Sequence, residues 1–126
     1  MALFRSNGIA AFGMALALPA RLCAAEGVPL GGSFGNAEGC AFLKTGEITS
    51  DGLLALSETA VTAYASSCDF VKVSPAIDGR YQIGGLCHEE GEEVGREEKL
   101  TLSRAGSGYL VTFTDGTVWG PVERCP

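Results

Sequence analysis

The sequence has few basic residues and only one histidine and one tryptophan. Its 126 residues include nine Lys and Arg against fifteen Asp and Glu. Nucleic acids and anionic membrane surfaces are bound through clustered Lys and Arg, so this scarcity disfavours both as partners. No long apolar run occurs after residue 25, which predicts that the rest of the chain does not span a membrane. No short repeat is present, which excludes collagen-like and coiled-coil architectures.

Residues 1–25 have the three parts of a secretory signal peptide. Arg5 makes the beginning positive, residues 8–18 are uncharged and mostly apolar, and small residues precede the expected cleavage site after Ala25. We therefore expect a single mature domain, residues 26–126, that is periplasmic or secreted.

Two other interpretations of this leader are weaker. A membrane anchor would need roughly 20 consecutive apolar residues, and the apolar stretch is much shorter. A lipid anchor on Cys23 would need small residues where Arg21 and Leu22 stand.

Cleavage removes two of the nine basic residues, Arg5 and Arg21, so the mature domain keeps seven against fifteen acidic ones, a net charge of −8.

The mature domain keeps an even number of cysteines. In an oxidising compartment, four cysteines predict two disulfides. A zinc site is the competing interpretation, but zinc ligands usually come in close pairs such as C-x-x-C, and the cysteines here are 28, 19 and 38 positions apart. The four residues are Cys40, Cys68, Cys87 and Cys125.

One short helix is predicted ahead of a series of strands. Asn36 is a suitable N-cap, and Gly46 after Lys44 is a suitable stop, which together predict a helix over Ala37–Lys44. Residues 26–34 are predicted to be an irregular lead-in. Residues 57–67 are compatible with a helix, although their β-branched residues favour a strand. The prediction is a mainly β fold, an antiparallel meander or small barrel of six to seven strands.

The C-terminal hairpin has a defined predicted register. Asp115–Gly116 is the pair preferred by a two-residue type I′ turn. That turn places Phe113 opposite Val118, Val111 opposite Gly120, and Tyr109 opposite Val122. The preceding loop, residues 105–108, then pairs Leu102 with Val111 and Leu100 with Phe113. The predicted core face comprises Tyr109, Val111, Phe113, Val118 and Val122.

The middle hairpin suggests how the cysteines pair. A turn over residues 75–79 would place Ser74 opposite Tyr81, Phe70 opposite Gly85, and Cys68 opposite Cys87. In the meander, the other two cysteines then lie together at the opposite end of the sheet. We therefore predict the disulfides Cys68–Cys87 and Cys40–Cys125.

No catalytic, metal or cofactor site is predicted. Six glutamates between residues 89 and 98 suggest either a calcium loop without the usual Asp/Asn alternation or a solvated hairpin loop, which we favour. His88 is either a general base or, as we favour, an exposed loop residue. No G-x-S-x-G element accompanies it, and residues 31–35 lack the context of a phosphate loop. We expect a protein that is not an enzyme.

Trp119 is the main candidate for binding. In the predicted register it points away from the core face, beside Leu110 and Pro121. The helix, with Phe42 and Leu43, could cover this patch, or the patch could be an exposed aromatic anchor for a partner.

The spacing C…C-x-F…G-x-Y-x-I…C-x-x-E-G…D-G…W…R-C, from Cys40 to Cys125, resembles a group of small exported, disulfide-bearing periplasmic proteins of Gram-negative bacteria. That resemblance implies no activity. The loop of residues 105–109, Ala-Gly-Ser-Gly-Tyr, is also similar to a Ser- and Gly-containing loop of periplasmic lysozyme inhibitors, which are small disulfide-bearing β-barrels. The basic residue that precedes Tyr in that pattern is missing here, so no inhibitory site is implied.

The first functional hypothesis is a non-enzymatic periplasmic binding or inhibitor module. Its acidic charge would suit a basic envelope or extracellular protein, such as a lysozyme, by electrostatic complementarity. The alternative is a carrier that holds a small ligand in the barrel interior. About eight strands are usually needed to leave such a cavity, and fewer are predicted here.

Overall fold

A computed structural model describes residues 26–75 and 77–126, so the predicted signal peptide lies outside the described residues. The described chain forms a closed antiparallel barrel of eight strands with one short helix and two disulfides. The elements are β1 (Phe34–Gly35), α1 (Ala37–Thr45), β2 (Leu54–Leu56), β3 (Ala60–Ala63), β4 (Ser66–Pro75), β5 (Tyr81–Glu89), β6 (Arg96–Ala105), β7 (Gly108–Phe113) and β8 (Val118–Arg124).

Strand β1 closes the barrel, and the prediction of six to seven strands missed it. It pairs antiparallel with β2 on one side and with β8 on the other. Because it has only two residues, it shows no alternation of polar and apolar side chains, and its first residue, Phe34, belongs to the predicted irregular lead-in. The segment 57–67 contains strand rather than helix, as its β-branched residues indicated.

The barrel has two different ends. The connections after β2, β4 and β6 lie at one end, which we call the upper end. The connections after β3, β5 and β7 lie at the other, which we call the lower end. The lead-in crosses the upper end and buries Val28 and Leu30 in the core. Glu58 holds it there, because its backbone carbonyl accepts from Val28 N (2.7 Å) and its carboxylate accepts from Leu30 N (2.9 Å).

The β4–β5 hairpin confirms only half of its predicted register. Cys68 faces Cys87 and Phe70 faces Gly85, as predicted. Nearer the turn the pairing is shifted by one, with Ser74 opposite Gln82 instead of Tyr81. Val71 lies at the irregularity that causes the shift.

Both disulfides have the predicted partners. Cys68–Cys87 joins directly opposed residues of β4 and β5. Cys40–Cys125 joins α1 to the residue that follows β8, with a Cα–Cα distance of 5.5 Å. The second bond therefore anchors the helix to the last strand, next to the point where β1 closes the barrel.

Helix α1 begins and ends at the predicted caps. The Asn36 side chain accepts from Gly39 N (2.7 Å), and Gly46 closes the helix in the left-handed conformation with φ of 76°. The same Asn36 oxygen accepts from Leu54 N (3.1 Å), and its amide nitrogen donates to Gly52 O. One side chain thus connects the helix to the loop before β2.

We expect Asn36→Ala to lower the free energy of unfolding by about 1–3 kcal/mol, because it removes a helix cap and leaves Leu54 N without its acceptor. Urea denaturation measures the loss. Asn36→Asp is the matched control, since it retains the oxygen that accepts from Gly39 N and Leu54 N but loses the donor to Gly52 O, and it should recover part of the stability. An alanine variant as stable as the native protein would contradict this role.

Candidate functional site

The β7–β8 turn differs from the predicted two-residue turn. Phe113 N donates to Thr117 O (2.8 Å) and Gly116 N donates to Phe113 O (3.0 Å), so the loop contains three residues. Gly116 has φ of 93°, whereas Asp115 does not adopt the positive φ that a type I′ turn requires. The additional loop residue shifts the start of β8 by one position, and Val111 now faces Trp119.

A bulge in β8 then reverses this shift. Gly120 and Pro121 together oppose Leu110, after which Val122 faces Tyr109, as predicted. Because side chains alternate along a strand, the shift turns Trp119 toward the core and Val118 toward solvent. The prediction that Val118 lines the core and that Trp119 points away from it is therefore wrong.

The observed register places Trp119 on the opposite face of the sheet from Leu110 and Pro121, so the three residues do not form the predicted patch. Trp119 packs against the core beside Phe113, with 4.6 Å between the ring centroids in an edge-to-face arrangement. Leu110 and Pro121 lie on the outer face at the bulge. Helix α1 packs against β1 and β2, so its Phe42 and Leu43 do not supply the cover that was considered for Trp119.

Trp119 instead lines a small cleft at the lower end of the barrel, which we call the lower cleft. Its volume is about 120 Å³. The Phe113–Trp119 pair and the buried Cys68–Cys87 disulfide supply its apolar walls. Carboxylates from three different segments, Glu89, Glu98 and Asp115, line it together with Arg96 and His88. An aromatic surface ringed by carboxylates suits a cationic group, because both the charges and the ring faces attract it.

The acidic segment contains its own cation. Arg96 Nη2 lies 3.2 Å from Glu89 Oε1, and Arg96 Nε lies 3.9 Å from Glu92 Oε2. The nearby charge of Glu92, followed by that of Glu89, raises the pKa of Arg96. Residues 89–98 contain six glutamates and this one arginine, so the segment keeps a strong negative charge.

Asp115 is held ionised in the turn beside the cleft. Its carboxylate accepts from Thr117 N (2.8 Å), and the hydrogen bonds from the Thr117 backbone and side chain lower the pKa of Asp115. A depressed folded pKa means that the stabilisation is present at neutral pH and is lost as the pH falls below the ordinary value of 3.8. The cleft therefore retains this negative charge throughout the physiological range.

His88 lies within β5 and is half-buried, so the prediction of an exposed loop histidine is wrong. Gly95 passes close to its ring, because a Cβ at that position would come within 2.7 Å of His88 Nε2. A larger residue at position 95 would require the His88 or Leu86 side chain to move. The loop before β6 therefore closes over the histidine, which forms a wall of the lower cleft.

The four cysteines of the described chain are all disulfide-bonded. The sulfurs of Cys68 and Cys87 lie within 4.8 Å of a carboxylate oxygen of Glu98. Since these sulfurs are bonded to each other, neither is a thiolate, and only Glu98 contributes a charged oxygen here.

Exposed apolar side chains are concentrated around the lower end. Among the described residues, six large apolar side chains are exposed, and four of them flank this end: Ile48 (49%), Tyr64 (50%), Val94 (81%) and Val118 (51%). Exposed apolar side chains grouped at one end of a domain are compatible with an interaction surface. Only the tertiary structure reveals this set, because its members come from four separate segments.

Comparison with protein-family models, curated proteins and solved structures finds no match for this chain. The similarity to periplasmic lysozyme inhibitors therefore stays a prediction. Across residues 26–75 and 77–126, no helix is both long and apolar enough to cross a membrane.

Proposed function

We propose that this domain is a non-enzymatic binding or inhibitor module, periplasmic or secreted, that acts on a basic protein partner through the lower end of its barrel. The observation that supports this most is the composition of the lower cleft. It brings the half-buried ring of Trp119 together with Glu89, Glu98 and Asp115. A lysine or arginine side chain of the partner would enter this cleft and contact both the ring and the carboxylates.

The charge of the domain favours the same class of partner. An acidic surface accelerates encounter with a basic protein and repels both acidic proteins and nucleic acids. The four exposed apolar residues around the cleft would add buried area once the partner is docked. Trp119 keeps the binding role predicted for it, but without Leu110 and Pro121.

The carrier alternative is disfavoured by the packing of the interior. Phe70, Leu56, Leu100 and Leu102 project into the barrel and are fully buried. The barrel has the eight strands that can leave room for a small ligand, so the strand count no longer argues against a carrier, but these large side chains fill the interior. The lead-in with Val28 covers the upper end as well.

We expect lysozyme, as a small basic protein, to bind the immobilised domain at low ionic strength. Replacing Glu98, which lines the cleft, and Glu93, which lies in the adjoining β5–β6 loop, with glutamine should weaken this binding about tenfold, because two carboxylates of the lower end lose their charge. Replacing Asp78 with asparagine and Glu123 with glutamine changes the net charge equally but at the upper end, because Asp78 lies after β4 and Glu123 contacts Ser107 after β6, and this pair is the matched control. Binding is measured by biolayer interferometry at several salt concentrations.

Two results would overturn the proposal. One is that neither lysozyme nor an oligolysine peptide binds the native domain at low ionic strength. The other is that the control pair weakens binding as much as Glu93→Gln with Glu98→Gln, because the attraction would then belong to the net charge and not to the cleft. Lysozyme activity measured alongside distinguishes an inhibitor from a module that only binds.

A further inference from the structure

A second depression adjoins the lower cleft. It has a volume of about 490 Å³ and lies between Ile48, from the loop after α1, and Tyr64, at the connection between β3 and β4. We call it the Ile48–Tyr64 groove. Ser66, His88 and Glu89 line both the groove and the cleft, so the two form one continuous surface with a shared wall.

The groove is apolar where the cleft is charged. Ile48 and Tyr64 each expose about half of their surface, and the side chains of Ala63 and Ala65 lie beside them. No lysine or arginine lines it, whereas Glu89 and Glu90 do. The groove can therefore bury a large apolar side chain whose neighbours carry positive charge.

We propose that the Ile48–Tyr64 groove binds an apolar side chain of the same basic partner whose lysine or arginine enters the lower cleft. The recognised element is then a short segment in which basic and large apolar residues are neighbours. This inference rests on the proposed function, because it assigns the second half of the same contact surface.

Charge favours this occupant over a second copy of the chain and over a membrane surface. A second copy of this chain would bring its own Glu89 and Glu90 against those of the first, and like charges oppose such a contact. An anionic membrane surface is repelled by the same carboxylates. A partner with adjacent basic and apolar residues satisfies both halves of the surface.

Two capped hexapeptides of equal charge test the inference, one alternating lysine with leucine and the other alternating lysine with serine. The single tryptophan of the chain lines the cleft, so its fluorescence reports binding directly. We expect the lysine–leucine peptide to bind the native domain about tenfold more tightly, because only leucine can bury apolar surface in the groove.

Replacing Ile48 and Tyr64 with serine should remove this tenfold preference while leaving the affinity for the lysine–serine peptide unchanged. The matched control replaces two exposed apolar residues away from the groove, Val71 and Ile77, with serine, and should retain the preference. The single replacements Ile48→Ser and Tyr64→Ser, each expected to reduce the preference about threefold, serve if the double variant unfolds.

Equal affinity of the native domain for the two peptides would overturn the inference, as would a preference that survives the loss of both Ile48 and Tyr64. In either case, salt-sensitive binding that Glu93→Gln with Glu98→Gln weakens would leave the proposed function standing. If neither peptide binds the native domain, the inference fails, and the binding of lysozyme and oligolysine decides the proposed function separately.

Discussion

Replacing Phe70 with alanine is expected to lower the free energy of unfolding by about 3–5 kcal/mol, the range for buried aromatic residues. Phe70 is fully buried and is among the largest side chains in the interior of the barrel. The residue opposite it is Gly85, which has no side chain that could move into the space. The cavity would therefore remain, and the loss should lie in the upper part of the range.

Val71→Ala is the control for this experiment. Val71 is the next residue along β4, lies at the irregularity in the β4–β5 pairing, and exposes 41% of its surface. Its truncation should change stability by less than about 0.5 kcal/mol. Chemical denaturation of both variants measures the difference. A loss below about 1 kcal/mol for Phe70→Ala would contradict the central position assigned to Phe70.

Removing the Cys40–Cys125 disulfide by replacing both residues with serine should destabilise the domain by about 4–5 kcal/mol. The bond closes a loop with a sequence separation of 85, so it restricts most of the unfolded chain. In the chain-entropy model, the cost of closing a loop rises with its length, and the Cys68–Cys87 bond, with a separation of 19, should contribute about 3 kcal/mol. Both Cys40 and Cys125 are only half-buried, so serine introduces little further cost at these positions.

Urea denaturation under non-reducing conditions tests the effect of this bond. Besides the lower midpoint, we expect a larger m-value, because the unfolded variant is less constrained and exposes more surface. The comparison is with the native disulfide-bonded protein in the same buffer. A loss smaller than about 2 kcal/mol would show that the bond does not act by restricting the unfolded chain.

The two hairpins show how far register can be predicted. In the β4–β5 pair, the prediction holds from Cys68 to Phe70 and fails by one residue toward the turn. In the β7–β8 pair, it holds at Tyr109 and fails by one residue at Val111. In both, the pairing distant from the turn is correct, and an irregularity between the two parts of the hairpin accommodates the one-residue shift near the turn.

Most of the candidate site could not be predicted from the sequence, because it depends on one-residue changes of strand register. Sequence patterns single out Trp119 and the acidic segment 89–98 separately. Their meeting in one cleft depends on a three-residue turn after Phe113 and on the bulge at Gly120 and Pro121. Each of these changes the register by one residue, and together they leave Val122 where it was predicted.

The sequence by itself determined the class of fold, the caps of the helix at Asn36 and Gly46, and the pairing of all four cysteines. These features depend on local conformational preferences and on the alternation of side chains along strands, and both can be read directly from the order of the residues. Tertiary structure decided the rest. It paired the two residues of β1 with β2 and β8, and it turned Trp119 inward by accommodating one extra residue in a turn and one in a bulge. Such insertions cost little locally, so only the packing of the whole barrel selects where they occur.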